Sequence, residues 1–209
     1  MKLDDQIIQL NELILLMAYQ VKMMMTTAVD ALIKSDQDKA LYVVEQDAIL
    51  NHYEVEVNEI SIQALSLLQP VAKDLRFLIS AMKIANELER IGDYAKNIAR
   101  FVIKKQILPE PIEEDALSLV TQFLSNFDEA IDVLKHPEAN LAYQVALKDE
   151  LLDKRFNQLV DKIDALPAGE RVSVAMIGIL RNVERAGDHT KNVCEHIIYR
   201  TKSQFIDLG

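Results

Sequence analysis

The stretch Glu89-Arg90-Ile91-Gly92-Asp93-Tyr94-Ala95-Lys96-Asn97 returns 95 residues later as Glu184-Arg185-Ala186-Gly187-Asp188-His189-Thr190-Lys191-Asn192. Six of the nine positions are identical, and the same offset brings Arg76 onto Arg171. Shared helical propensity accounts for a common Leu or Ala, but not for a common Glu-Arg-x-Gly-Asp-x-x-Lys-Asn. The chain therefore contains an internal duplication, and its fold is one unit made twice.

Outward from the two signatures the chain reads as helix almost throughout. Leu3, Ile7, Leu10, Ile14, Met17, Val21, Met24, Ala28 and Ala31 recur at alternating steps of four and three, the seam of a bundled helix. The Met23–Met25 run fits as adaptable core filler. Ser35 and Asp36 supply a stop and a fresh N-cap. A second helix is expected from about Asp36 to Leu68, with its seam at Leu41, Val44, Ala48, Asn51, Val55, Asn58, Ile62 and Leu65. Pro70 ends it near the start of a third helix, which runs to about Lys105. Pro109 and Pro111 bracket the one candidate boundary. A fourth helix is then expected over Ile112–Lys135, a fifth from the His136-Pro137 break to about Leu166, and a sixth from Pro167-Ala168-Gly169 to about Thr201. This predicts an all-α fold of two tandem three-helix bundles of antiparallel neighbours, one over 1–106 and one over 110–209.

Composition removes several alternatives. Only 5 Gly and 5 Pro in 209 residues leave too few turn formers for a many-stranded β fold. With 33 acids against 23 bases the formal charge is −10, the wrong sign for a phosphate-backbone partner, so no nucleic acid is expected. One cysteine, Cys194, excludes an internal disulfide and is read as core filler on the sixth-helix seam. No secretory signal is legible, and the longest apolar run, Leu13 to Tyr19, falls far short of the ~20 residues of a membrane helix. A cytoplasmic location is expected.

Chemistry concentrates on the repeated signature. Glu89 and Asp93, four residues apart, share a helix face, as do Glu184 and Asp188. The seam Leu75, Leu78, Met82, Ala85 leads into Glu89 and Gly92, while Ile177 and Leu180 lead into Glu184 and Gly187. A carboxylate on a packed seam costs several kcal/mol unless a cation or good donors face it. A mid-helix glycine costs roughly 1 kcal/mol more, and it leaves room for a close helix or an ion. Asp47 and Asn51 are expected to face Glu89 and Asp93, and Asp149 and Asp153 to face Glu184 and Asp188. On the fifth helix, Val145, Asp149, Leu152, Phe156, Leu159 and Ile163 form a line that is apolar except at Asp149. Oxygen ligands without sulfur or well-placed imidazole select Mg²⁺, Mn²⁺, iron or Ca²⁺. Two other readings remain open: neutralisation of the acids by Arg90, Arg185, Lys96 and Lys191 in a metal-free scaffold, and a carboxylate-bridged metal enzyme. His189 is either an outer donor to the metal or a partly exposed bundle histidine. Asn97 and Asn192 either orient a carboxylate or bridge helices.

These two signatures, extended to Glu89–Ala99 and Glu184–Glu195, resemble the paired repeat signatures of the PhoU family. Pro70-Val71-Ala72-Lys73-Asp74-Leu75-Arg76 resembles that family's lead-in to the third helix. The resemblance implies two three-helix bundles related by a pseudo-twofold axis, with acid-x-x-x-acid motifs holding multinuclear iron, Mn²⁺ or Mg²⁺. It places Glu89, Asp93, Glu184 and Asp188 first among the ligands, with Asp47, Asp149 and Asp153 next and neutral Asn51 weakest. The implied role is regulatory and not enzymatic: restraint of phosphate uptake and phosphate-starvation signalling. The implied partners are a phosphate ABC transporter ATPase and a phosphate-sensing histidine kinase, reached from the cytoplasm at the inner face of the membrane. Apolar lines on more than one face of the second helix point to a homodimer.

Overall fold

The computed structural model describes residues 2–105, 110–167, 173–203, 206 and 208. Among them are seven helices and no strands: α1 (Leu3–Lys34), α2 (Gln37–Leu67), α3 (Ala72–Ile103), α4 (Glu110–Lys135), α5 (Ala139–Ala146), α6 (Asp149–Asp164) and α7 (Val174–Lys202). Pro109, Ala168, Gly169 and Arg171 lie outside the described residues.

The first half packs α1, α2 and α3 against one another, and the second half packs α4, α5 and α6 against α7. α3 and α7, the two helices that carry the repeated signature, pack on each other and join the halves. The α1 seam is as expected. Leu10, Ile14, Met17, Val21, Met24, Ala28 and Ala31 are all buried, and Met25 joins them. α1 is apolar enough over 18 residues to match a membrane span, yet 50% of that window is buried in the bundle. Its end follows the expected logic too. Ser35 takes the left-handed conformation (φ 52°), and the Asp36 side chain caps α2 by accepting from the Lys39 amide at 3.0 Å.

Two expectations fail. The seam of α2 is not the one the spacing suggests. Leu41, Val55 and Ile62 are 49%, 51% and 57% exposed, whereas Ala40, Val43, Leu50, Val57 and Ala64 are buried. α2 is apolar around much of its circumference, so two stripes compete and periodicity alone selects the wrong one. The true stripe places Asp47 between Val43 and Leu50, on the side of the neighbouring helices, and leaves Asn51 only partly buried.

The expected fifth helix is also not continuous. It breaks at Leu147-Lys148 into α5 and α6. The break tightens to i→i+3 bonding: the Lys148 amide donates to the Val145 carbonyl at 3.1 Å and the Leu151 amide to the Lys148 carbonyl at 3.2 Å. The buried Asn126 side chain donates a further hydrogen bond to the Lys148 carbonyl at 3.4 Å. No glycine or proline marks the spot. The break makes Asp149 the first residue of α6, where the free amides of a helix start favour negative charge.

Candidate metal centre

The glycine of each signature explains why the acids come close to a second helix. A Cβ on Gly187 would lie 2.3 Å from Leu152 Cδ2 and 2.6 Å from Asp149 Oδ1. A Cβ on Gly92 would lie 2.1 Å from Leu50 Cδ2. Of the two uses foreseen for these glycines, the close helix is the one observed: a buried leucine fills each gap. Around the Gly187 contact, α6 seats the Asp149 and Asp153 carboxylates against α7.

In the second half, Asp149, Asp153 and Asp188 place carboxylate oxygens within 4.8 Å of one another. Asp149 is 5% exposed; its Oδ2 is ion-paired with Lys191, whereas its Oδ1 is buried with no hydrogen-bond partner, as is Asp153 Oδ1. Burial, reinforced by the Asp153 charge, pushes the Asp149 carboxyl up to about 6, against the opposing pull of Lys191, whose Nζ sits 3.2 Å from Asp149 Oδ2. Burial and the Asp188 charge raise Asp153. Burial raises Glu184 as well, with Asp188 and Asp153 adding to it. These four acids thus feel one another, and Lys191, with Arg181 and Arg185 acting on Glu184, offsets their repulsion only in part. The fit to a hard cation rests on two orphaned oxygens, Asp149 Oδ1 and Asp153 Oδ1, which a divalent ion would satisfy and a hydrophobic core cannot.

The first half differs. Lys96 Nζ lies 2.9 Å from Asp47 Oδ1 and 2.5 Å from Asp93 Oδ1, so the ammonium occupies the place between the helices. The Asn51 amide donates to Asp47 Oδ2 at 3.3 Å. Arg90 stands only loosely by, 3.8 Å from Glu89 and 3.9 Å from Asp93. The Glu89 carboxyl is raised by burial and by Asp93, and it feels Glu54 rather than Asp47. Asp47, Asn51 and Asp93 therefore come together through Lys96, while Glu89 sits to one side. The repeated signature is identical in its lysine, so the difference comes from its neighbour: Asp153 supplies a third carboxylate where Asn51 supplies an amide. Ion pairing, the open alternative, describes this half through Lys96 on two aspartates; in the other half Lys191 pairs with Asp149 but leaves Asp149 Oδ1 and Asp153 Oδ1 buried without a partner.

Sequence reasoning did not find Glu87. This carboxylate accepts from His189 Nδ1 at 2.5 Å and from the Asn192 side chain at 3.1 Å, with His196 Nε2 3.7 Å away. Burial alone would raise it, but the hydrogen bonds from His189, His196 and Asn192 win and hold it at about 2. Because Glu87 is ionised, His189 carries its proton on Nδ1, and in the neutral ring Nε2 accepts from the Tyr94 hydroxyl at 3.0 Å. Both His189 nitrogens are thus taken by groups outside the acid clusters, which excludes the outer-donor reading, and Asn192 bridges helices. Tyr94 and His189 occupy equivalent positions of the two repeats, so the 95-residue offset itself was the signal that could have led here.

Glu87→Gln is expected to lower stability by ~2–3 kcal/mol at neutral pH, because it weakens the link between α3 and α7. The native Glu87 carboxyl sits near 2 against an ordinary 4.5, so its contribution is complete above about pH 4.5 and is lost as pH falls toward 2. Acid unfolding followed by circular dichroism checks this: the variant should show a shallower loss of stability across that window.

Fold and site together define a class: an all-α protein of two tandem three-helix repeats, each carrying an acid–glycine signature on its last helix. A family model for the PhoU domain matches residues 14–102 and 117–197, and the chain belongs to the PhoU family. It is 31% identical over 204 residues to a phosphate-specific transport system accessory protein PhoU homolog from Zymomonas mobilis, covering 94% of this chain and 85% of that one. The crystal structure of PhoU from Pseudomonas aeruginosa superposes with a TM-score of 0.90 at 30% identity, covering 97% of this chain and all of that one. The phosphate transport system regulatory protein PhoU from Streptococcus pneumoniae gives the same TM-score at 25% identity, over 99% of this chain. The names of these relatives place the family among accessory and regulatory proteins of phosphate transport and not among enzymes, in agreement with the regulatory role expected above.

Proposed function

We propose that this chain is a metal-binding adaptor that restrains phosphate uptake and phosphate-starvation signalling, linking a phosphate ABC transporter ATPase to a phosphate-sensing histidine kinase. It acts in the cytoplasm, meets the membrane only through those partners, and pairs as a homodimer. Each repeat, 1–106 and 110–209, carries one site. Asp149, Asp153, Asp188 and Glu184 are the principal ligands, and iron, Mn²⁺ or Mg²⁺ is the ion class. Glu89, Asp93, Asp47 and Asn51 form a weaker companion site, at which a cation has to displace Lys96.

The observation that carries this reading is the pair of buried, unpartnered oxygens, Asp149 Oδ1 and Asp153 Oδ1, beside the Asp188 carboxylate. A bound cation supplies the positive charge that converts their repulsion into cohesion. Relatives named as transport-system accessory proteins support the regulatory part. The exposed apolar line Leu41, Val55 and Ile62 on α2 supports the homodimer.

Elemental analysis tests the site. Protein reloaded with Mn²⁺ or iron should carry more than one ion per chain, and the double substitution Glu89→Gln with Glu184→Gln should release most of it. Unchanged content removes the ligand assignment. The regulatory role is tested separately in a deletion strain, where phosphate-responsive expression should persist at high phosphate. Expression that still shuts off normally ends that part of the proposal.

A further inference from the structure

Far from the acid clusters, the start of α3, the end of α7 and the first turns of α1 enclose a cleft of about 690 Å³. Lys73, Arg76 and Arg200 bring three positive charges to it, against Asp4 and Asp74. This is a local excess of cations in a chain whose net charge is −10. Neither guanidinium makes a hydrogen bond or an ion pair with any described residue. Arg76 Nε and Arg200 Nη2 are buried outright without a partner. Arg200 is held in place by packing instead: its guanidinium carbon lies 5.6 Å from the centre of the Phe77 ring. Burial pulls its pKa down to about 10, which still leaves it charged at neutral pH.

A guanidinium offers five donors in a planar fork, and leaving them unused in a partly dry cleft is costly. Carboxylates are abundant in this chain, yet those on the cleft wall, Asp4 and Asp74, lie outside ion-pair distance of both arginines. Two free forks and an ammonium around one cavity match a tetrahedral dianion, which has several acceptor oxygens and more than one charge, better than a single carboxylate. The start of α3 adds amide donors on the same side.

We infer that this cleft is a binding site for a phosphoryl group, held by Arg76 and Arg200 with Lys73 at the mouth. The volume exceeds that of a single ion and lies in the range of small-molecule sites, so the phosphoryl group is either inorganic phosphate or the phosphate end of a nucleotide. The assignment does not rest on the metal reading, because none of these residues belongs to either acid cluster.

Calorimetric titration of the full chain with inorganic phosphate and, separately, with AMP tests the inference, each run with and without a chelator. One saturable site is expected, unchanged by the chelator and weakened at least tenfold by Arg200→Gln and by Arg76→Gln. Arg200→Lys, which keeps the charge but loses the fork, should weaken it several-fold. Lys73→Gln, at an exposed position that does not threaten folding, should weaken it about threefold and flatten its salt dependence. Tighter binding of AMP identifies a nucleotide; phosphate binding that AMP does not compete for identifies the free ion. Absence of saturable binding by either probe overturns the inference. So does binding that the chelator abolishes, or binding that folded Arg200→Gln and Lys73→Gln proteins retain in full.

Discussion

Asp149→Asn is expected to cut the affinity of the second-half cluster for Mn²⁺ by on the order of 100-fold, and at the same time to make the metal-free protein more stable. The two effects have one origin. Asp149 is buried with its Oδ1 unpartnered, and burial with the Asp153 charge outweighs the Lys191 ion pair and raises its carboxyl from 3.8 to about 6. Since the folded value lies above the unfolded one, stability falls as pH rises from about 3.8 to about 6, and the full cost of ~3 kcal/mol is in place at neutral pH. The neutral amide removes that cost but needs partners of its own, so a net gain of ~1–2 kcal/mol is expected. For a chain of this length that is a rise of roughly 3–6 °C in melting temperature. With Mn²⁺ at 100 times its dissociation constant, the wild type should gain about 2.7 kcal/mol and overtake the variant. Thermal melts of both proteins, with Mn²⁺ and with chelator, check the crossing. Parallel curves under both conditions would remove Asp149 from the site.

Gly187→Ala and Gly92→Ala should separate the packing role of the signature from its chemical role. On helix propensity alone either change should stabilise by ~1 kcal/mol. Each new methyl, however, meets a fully buried leucine, Leu152 in one case and Leu50 in the other, closer than van der Waals contact allows. Overpacking of this kind costs ~1–3 kcal/mol, so both variants are expected to lose stability on balance. Only the Gly187 methyl also meets a carboxylate, Asp149 Oδ1 at 2.6 Å. Gly187→Ala should therefore weaken Mn²⁺ binding at least tenfold, whereas Gly92→Ala should leave that affinity within about twofold. Urea unfolding and metal titration measured on the same preparations distinguish the outcomes. Equal metal affinities in the two variants would show that the glycine serves packing alone.

Particular residues show which parts of this molecule were legible from sequence. The α1 seam could be read because its apolar positions recur without a break at steps of four and three, although Ile8, Leu16 and Tyr19 lie exposed off it. The α6 line Leu152, Phe156, Leu159 and Ile163 could be read for the same reason, and Asp149 stood out as the one acid on it. α2 could not, because Leu41, Val55 and Ile62 compete with Val43, Leu50 and Val57, and only the neighbouring helices choose between the stripes. The break at Leu147-Lys148 was hidden because a buried amide from Asn126, 22 positions earlier in the chain, stabilises it, and nothing local announces it. Spacing placed the acids on facing helices but could not say that Lys96 reaches both Asp47 and Asp93. A lysine's reach depends on rotamers that only packing fixes. Glu87 was passed over as one acid among many on α3; its partners come from α7, out of reach of any local pattern.

The Tyr94–His189 contact has a consequence for what fusion of two copies makes available. In a symmetric pair of half-length chains, whatever residue lies on the axis presses against its own twin, and any substitution is felt on both sides at once. Covalent tandem joining lifts that constraint. One copy can hold a phenol where the other holds an imidazole, giving a donor and an acceptor at a spot where two imidazoles would repel once both were protonated. The same licence lets one hairpin set an amide beside its lysine and aspartates while its counterpart sets a third carboxylate there, so a single polypeptide presents two unequal chemistries on one inherited scaffold.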